Sequence, residues 1–101
     1  MFGELVAGVS RGARLMDLDV LKQHAAATAV RMVESGMLVG LGTGSTTRHA
    51  IGLLGERVRS GLKFTGVPTS VASARLAESL GIPLIDSPTE AAIDLTIDGA
   101  D

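Results

Sequence analysis

Apolar positions along the chain change rhythm several times, and each change marks an element. Leu18, Leu21, Ala25, Ala29, Met32 and Val33 recur at three- and four-residue spacing, the stripe of an amphipathic helix. Asp17 or Asp19 can cap its first turn, and Gly36 stands where a left-handed cap commonly ends a helix. Met37 to Leu41 is a short apolar run without alternation, as expected of a strand buried on both faces. A second helix carries Ile51, Leu54 and Val58 on one face and stops at Gly61. Leu62 to Val67 reads as a second strand, with Pro68-Thr69-Ser70 as its loop. A third helix runs from Val71 to Leu80, capped by Ser70 and ended by Gly81. Ile82 to Asp86 is a third strand, in which Pro83 removes a ladder donor and marks a start or an edge. Ser87-Pro88-Thr89 and a weak helical turn at Glu90 to Ala92 follow. Ile93 to Ile97 then alternates as a fourth strand and runs into Asp98-Gly99-Ala100-Asp101.

Strands alternating with ten- to fifteen-residue helices are βαβ units, so the class is α/β with a mainly parallel sheet. Such open sheets bind ligands at the carboxyl ends of their strands. Three segments fall there: Gly42 to Thr47, Pro68 to Ser70, and Asp98 to Asp101.

Composition narrows the chemistry. The 101 residues make one domain at most. A net charge of −2 argues against a nucleic-acid partner, which calls for a basic face. Cysteine is absent, and Phe2 and Phe64 are the only aromatics, so neither thiolate chemistry nor a base-stacking platform is available. No run approaches the roughly 20 apolar residues of a spanning helix, so no membrane partner is expected and a cytoplasmic setting is the default. Residues 1–17 read as an N-terminal extension, expected to be disordered or to reflect a start assigned too early, and 18–101 as the structured portion.

The glycine-rich segment Gly40-Leu41-Gly42-Thr43-Gly44-Ser45-Thr46-Thr47 decides the ligand class. A dinucleotide fingerprint needs a third glycine, but Thr47 or Ser45 stands there, and Val67-Pro68-Thr69 offers no acidic residue for a ribose. No lysine precedes Ser45 or Thr46, so the segment is not a P-loop either. A glycine turn opening a helix remains, followed by three hydroxyl residues, which suits a single phosphate. A plain strand-to-helix turn with Ser45 or Thr46 as N-cap would use the same residues.

Lys22 is a candidate counter-charge, although a lone lysine near a helix start is usually solvated. His24 and His49 make a poor metal case, and no G-x-S-x-G elbow appears. Asp98 and Asp101 could accept hydrogen bonds from a small polyol, although Asp-Gly is also an ordinary turn. With a phosphate loop on the same edge, the pair suggests a phosphorylated sugar.

The combination resembles ribose-5-phosphate isomerase of the A type. The resemblance is carried by Leu21-Lys22, Ala25-Ala26, Gly36 to Thr46, Val67-Pro68-Thr69-Ser70, Ala77 to Leu84 and Asp94 to Asp101, collinear over about residues 18–101. It implies a Rossmann-like fold, left incomplete at its C-terminus. It also implies a reversible isomerisation of D-ribose 5-phosphate to D-ribulose 5-phosphate through an enediolate, without metal or cofactor. On this resemblance Thr43, Gly44, Ser45 and Thr46 contact the substrate, chiefly around its phosphate, with Lys22 nearby. Asp98 and Asp101 are the expected catalytic pair, positioning sugar hydroxyls during ring opening and proton transfer. Ser70, Gly99 and Ala100 complete the expected substrate-binding set, and a homo-oligomer is implied.

The family's base glutamate and its K-G-G-G lysine follow the DGAD segment, and the sequence stops at Asp101. A polypeptide of these residues alone is therefore expected to be inactive, with its last strand left as an exposed edge. Two other readings fit the class: the sugar-phosphate effector domain of a transcription regulator, and an aminosugar-phosphate isomerase or deaminase.

Overall fold

The structure, a computed structural model, describes residues 11–86 and 92–99. Its elements are α1 (Arg11–Arg31), β1 (Leu38–Leu41), α2 (Ser45–Arg59), β2 (Thr65–Pro68), α3 (Val71–Ser79) and β3 (Leu95–Ile97). The fold is α/β, as the alternation of patterns implies. The three strands form one parallel sheet in the order β2-β1-β3. Leu38 to Leu41 pair in register with Thr65 to Pro68, and Val39 to Leu41 with Leu95 to Ile97.

β1 is central because it has neighbours on both sides and contributes the most deeply buried strand residues, Val39 and Leu41. These two point to one face, where they join Ala26 and Val30 of α1, Val33 just beyond its end, Ala50, Ile51 and Leu54 of α2, and Ala77 of α3 in a single apolar cluster. Gly66 on β2 belongs to the same face: a Cβ there would come within 2.8 Å of Leu41 Cδ1 and 2.9 Å of Leu84 Cδ2.

Four expectations change, three of them in α1. Helix α1 opens at Arg11 rather than near Asp17, so residues 11–17 of the expected extension are helical. Ala, Arg, Leu and Met there are good helix formers and no proline interrupts them. Residues 1–10 lie outside the described residues. The expected stripe is only partly the buried one. Val33 is 2% exposed and Ala29 packs against the core as expected, but Leu18, Leu21 and Met32 are 49%, 38% and 57% exposed, and Ala26 and Val30, at most 4% exposed, complete the inner face instead. The alanines let α1 approach α2 closely, and the bulkier residues face away. Helix α1 also ends at Arg31, and Gly36, with φ 94°, belongs to the turn before β1.

The expected third strand shrinks to one bridge, Leu84 against Gly66. Gly66 N–H donates to Pro83 O at 2.8 Å and Ile85 N–H to Gly66 O at 3.0 Å. Pro83 has no N–H with which to continue the ladder. Residues 87–91, including most of the expected turn at Glu90 to Ala92, lie outside the described residues.

Helices α2 and α3 follow β1 and β2 respectively, so both begin at the carboxyl edge of the sheet. Helix α1 runs parallel to α2. Asp19 meets His49 near the start of α2, while Ala27, Val30 and Arg31 share a groove with Leu53, Glu56 and Ser60 near its end. The early turns of α1 therefore lie toward the same carboxyl edge. Among the described residues no helix is long and apolar enough to cross a membrane.

Candidate functional site

The strand order places a topological switch point between β1 and β3, because the chain leaves β1 toward β2 and returns on the other side. Open α/β sheets offer their ligand crevice at such a point. Here it is flanked by Gly42 to Thr46 on one side and Asp98-Gly99 on the other.

The two segments are bonded into one unit. Gly42 N–H donates to Ile97 O at 2.8 Å, and Gly99 N–H donates to Thr43 O at 3.0 Å. Asp98 Oδ1 accepts from Thr43 N–H at 3.3 Å, and Thr47 Oγ1 donates to Ile97 O at 3.4 Å. The approach leaves little room for a side chain. A Cβ on Gly42 would stand 2.7 Å from Asp98 Cγ, and one on Gly99 would stand 3.1 Å from Thr43 O and 3.3 Å from Thr46 Cβ.

Gly44 turns the chain into α2 with φ 95° and ψ 166°, a region populated almost solely by glycine. It is the N-cap, and it supplies no side-chain hydrogen bond to the first turn. The contrast with α3 is direct: there the N-cap Ser70 accepts from Ser73 N–H at 3.1 Å. Neither Ser45 nor Thr46 is the N-cap of α2, since they are its first two residues. The start of α2 thus presents backbone amides, two hydroxyl side chains and the positive end of the helix dipole at the switch point.

Lys22 lies on α1 one turn before Ala26, on the core-facing stripe and half-buried. With α1 parallel to α2, that stripe delivers Lys22 toward the end of α2 that carries the glycine loop. Ser70 sits on the opposite flank of the loop, at the mouth of β2. Asp98 is exposed and Gly99 half-buried, and one Asp98 oxygen already holds the loop. Ala100 and Asp101, expected in the site, lie outside the described residues.

Sequence reasoning passed over Ser73 and Arg48. The Ser73 hydroxyl is buried, 7% exposed, and donates to Gly42 O at 2.5 Å. It therefore ties α3 to the base of the loop. Local spacing carries no signal for it, because its partner Gly42 is 31 residues away. Arg48, in the first turn of α2, lines a cleft of about 380 Å³ with Thr43, Gly44, Ser70 and Ser73. A cation there opposes the helix dipole, so its neighbourhood favours an anion. His24 and His49 line a separate groove between α1 and α2. Among the described residues no three His, Asp or Glu side chains converge as a metal site would require.

Comparison with known proteins agrees with this geometry. Residues 65–101 match the family model described as ribose 5-phosphate isomerase A (phosphoriboisomerase A). A ribose-5-phosphate isomerase A of Gloeobacter violaceus is 58% identical over 86 residues, covering 85% of this chain and 37% of the relative. One from Nitrobacter hamburgensis is also 58% identical over 86 residues, with the same coverage. A solved ribose 5-phosphate isomerase A from Methanocaldococcus jannaschii superposes with a TM-score of 0.74 at 41% identity, covering 82% of this chain and 37% of that one. A D-ribose-5-phosphate isomerase solved in complex with phospho-erythronic acid gives a TM-score of 0.76 at 42% identity over the same shares. The chain thus spans 37% of the length of these relatives. Its matching stretch includes the glycine loop, the serine-capped helix and the aspartate-glycine mouth of β3, and by these it belongs to the ribose-5-phosphate isomerase A family.

Proposed function

We propose that the switch-point site binds D-ribose 5-phosphate and serves its isomerisation to D-ribulose 5-phosphate. The observation that carries this reading is the bonded unit of Thr43–Thr46 and Asp98–Gly99. Backbone bonds of 2.8 and 3.0 Å hold the start of α2 and the Asp98 carboxylate side by side, groups whose chemistry suits an anion and hydroxyls respectively. A pentose phosphate has an anion at one end and hydroxyls at the other. The phospho-erythronic acid held by a relative has the same two ends.

In this reading the phosphate lies against Gly44, Ser45 and Thr46, with Lys22 supplying countercharge from α1. Asp98 accepts from sugar hydroxyls through the oxygen that does not hold Thr43, and Asp101 is proposed as its partner. Ser70, Gly99 and Ala100 shape the rim. Isomerisation moves a proton between C2 and C1 through an enediolate, which needs a base and stabilisation of the developing oxyanion. The residues of this chain orient the open-chain sugar for that transfer, and such positioning can be worth about 7–11 kcal/mol. The protein is proposed to work in the cytoplasm as a homo-oligomer, without metal or cofactor.

A titration followed by amide NMR tests the reading. Ribose 5-phosphate is expected to shift the amides of Thr43 to Thr46 and of Asp98 and Gly99, with glucosamine 6-phosphate binding more weakly. Unmoved amides, or tighter binding of the aminosugar phosphate, would refute it.

A further inference from the structure

Three arginines lie on α2, and one of them is at the wrong end for the helix. Arg57 and Arg59 occupy the last turn, where the negative end of the dipole favours a cation. Arg48 is in the first turn, where no acidic residue balances it and the dipole opposes it. Among the described residues Arg48 makes no ion pair, the pair present being Asp19–His49. Glu56 lines the α1-side groove with it but stands two turns on, about 12 Å along the axis. Asp98 lies across the loop, bonded to Thr43 N–H. An unpaired cation at the unfavourable end of a helix is a local conflict of the kind found at functional positions.

Helical geometry directs the side chain. Cα–Cβ bonds tilt toward the N-terminus of their helix, so a long side chain covers the turn before its own. Arg48 N–H donates to Gly44 O at 3.1 Å, so that turn is the one Gly44 opens, and Gly44 has no side chain to stand between. Arg48 accordingly lines one cleft of about 380 Å³ with Thr43, Gly44, Ser70 and Ser73, between α2 and α3. The Ser73 hydroxyl is committed to Gly42 O and the Ser70 hydroxyl to Ser73. Among the described lining residues Arg48 carries the only charge. The cleft flanks the glycine loop on its α3 side, whereas Asp98 and Gly99 flank it on the β3 side.

We propose that Arg48 is a specificity-determining residue of this site: its guanidinium takes the terminal phosphate oxygen that faces the cleft and so selects a phosphomonoester over a diester. The inference rests on the reading of the glycine loop as a sugar-phosphate site. With the sugar over Asp98, a phosphate on the start of α2 turns a terminal oxygen toward the α3 side. In a monoester that oxygen is free and shares the charge, which suits the paired N–H donors of a guanidinium. In a diester it carries a carbon substituent and no charge. The cleft has room for a small substituent, so discrimination comes from the contact with Arg48 rather than from a clash. Arg48 is exposed, which holds the contact to on the order of three- to tenfold in affinity.

The test compares ribose 5-phosphate with its methyl phosphodiester by calorimetry, on the unmodified chain, on Arg48→Ala and, as a control for net charge, on Arg59→Ala. The unmodified chain is expected to prefer the monoester. Arg48→Ala is expected to weaken the monoester by about three- to tenfold and the diester by less than about twofold, while Arg59→Ala leaves the ratio of the two unchanged. Ligand-free Arg48→Ala should melt no lower than the unmodified chain, because it removes a cation that the dipole opposes. Affinity lost without stability lost separates recognition from folding. Equal weakening of both esters by Arg48→Ala, or the same change of ratio in Arg59→Ala, would overturn the selective contact. A diester bound by the unmodified chain as tightly as the monoester would overturn it as well, the cleft then holding the substituent. Monoester affinity unchanged in Arg48→Ala would remove Arg48 and leave the site reading intact. Failure of the unmodified chain to bind either ester would overturn the site reading and the role of Arg48 together.

Discussion

Gly42 faces Asp98 across the β1–β3 boundary with no room for a side chain between them. A Cβ on Gly42 would lie 2.7 Å from Asp98 Cγ and 3.1 Å from Asp98 Cβ, and Gly42 is buried. Gly42→Ala is expected to push the carboxylate away from the loop. The overpacking should cost about 1–3 kcal/mol in chemical denaturation. Adding Asp98→Ala should recover part of that stability and none of the ribose 5-phosphate binding, because the two residues share one contact and their effects cannot add.

Gly44 supplies backbone rather than space. Its φ of 95° with ψ of 166° lies where other residues pay about 1–3 kcal/mol. Gly44→Ala is therefore expected to lower the denaturation midpoint and to weaken phosphate binding together. Normal affinity in a stably folded Gly44→Ala chain, measured by calorimetry, would contradict the role given to this turn.

Ser73 and Ser70 separate a buried tie from a helix cap. Ser73→Ala leaves the Gly42 carbonyl without the hydroxyl it accepts from, at a cost of about 1–3 kcal/mol for an unsatisfied buried group. Ser70→Ala removes the cap of α3, about 1 kcal/mol. The Ser73 change should in addition shift the amide resonances of Gly42 to Gly44, because it reaches the base of the loop. The Ser70 change should perturb chiefly the first turn of α3.

Asp98→Asn tests the carboxylate without disturbing the fold. An asparagine oxygen can still accept from Thr43 N–H, so thermal stability should change little. Hydrogen bonds to a charged group are worth about 1.5–3 kcal/mol, so ribose 5-phosphate affinity is expected to fall by about tenfold or more. Unchanged affinity would remove Asp98 from the sugar site.

What could be read in the residues is tied to local necessity. Gly42 and Gly44 are legible because a close approach and a glycine-only turn leave no substitute. β1 is legible because an unbroken apolar run has no polar face to expose. Helix α1 was legible as a helix but not in its orientation. The expected stripe mixes two faces: Leu18, Leu21, Ala25 and Met32 are exposed, whereas Ala29 and Val33 share the inner face with Lys22, Ala26 and Val30. The first carries more bulk, yet the second is buried, because alanine lets α2 come near. That choice depends on a neighbour about 25 residues away, and local spacing does not encode it. The same holds for Ser73, whose partner Gly42 is 31 residues distant, and for His49 and Asp19. The third strand falls short for a local reason: Pro83 shortens the ladder to one bridge rather than merely marking an edge.

Helices α2 and α3 both begin at the carboxyl edge of the sheet, so the positive ends of two dipoles open on the same rim. The chain as a whole carries a net charge of −2 and repels a phosphate ester at long range. Close in, the two helix starts, Lys22 and Arg48 act against that field, and Asp98 on the same rim acts with it. Under the proposed reading, capture of the ester is a matter of crossing a weak outer repulsion into a narrow attractive funnel. Salt screens the two fields over different distances. The association rate should accordingly rise slightly as the first salt is added, and fall once the Debye length shrinks to the width of the rim.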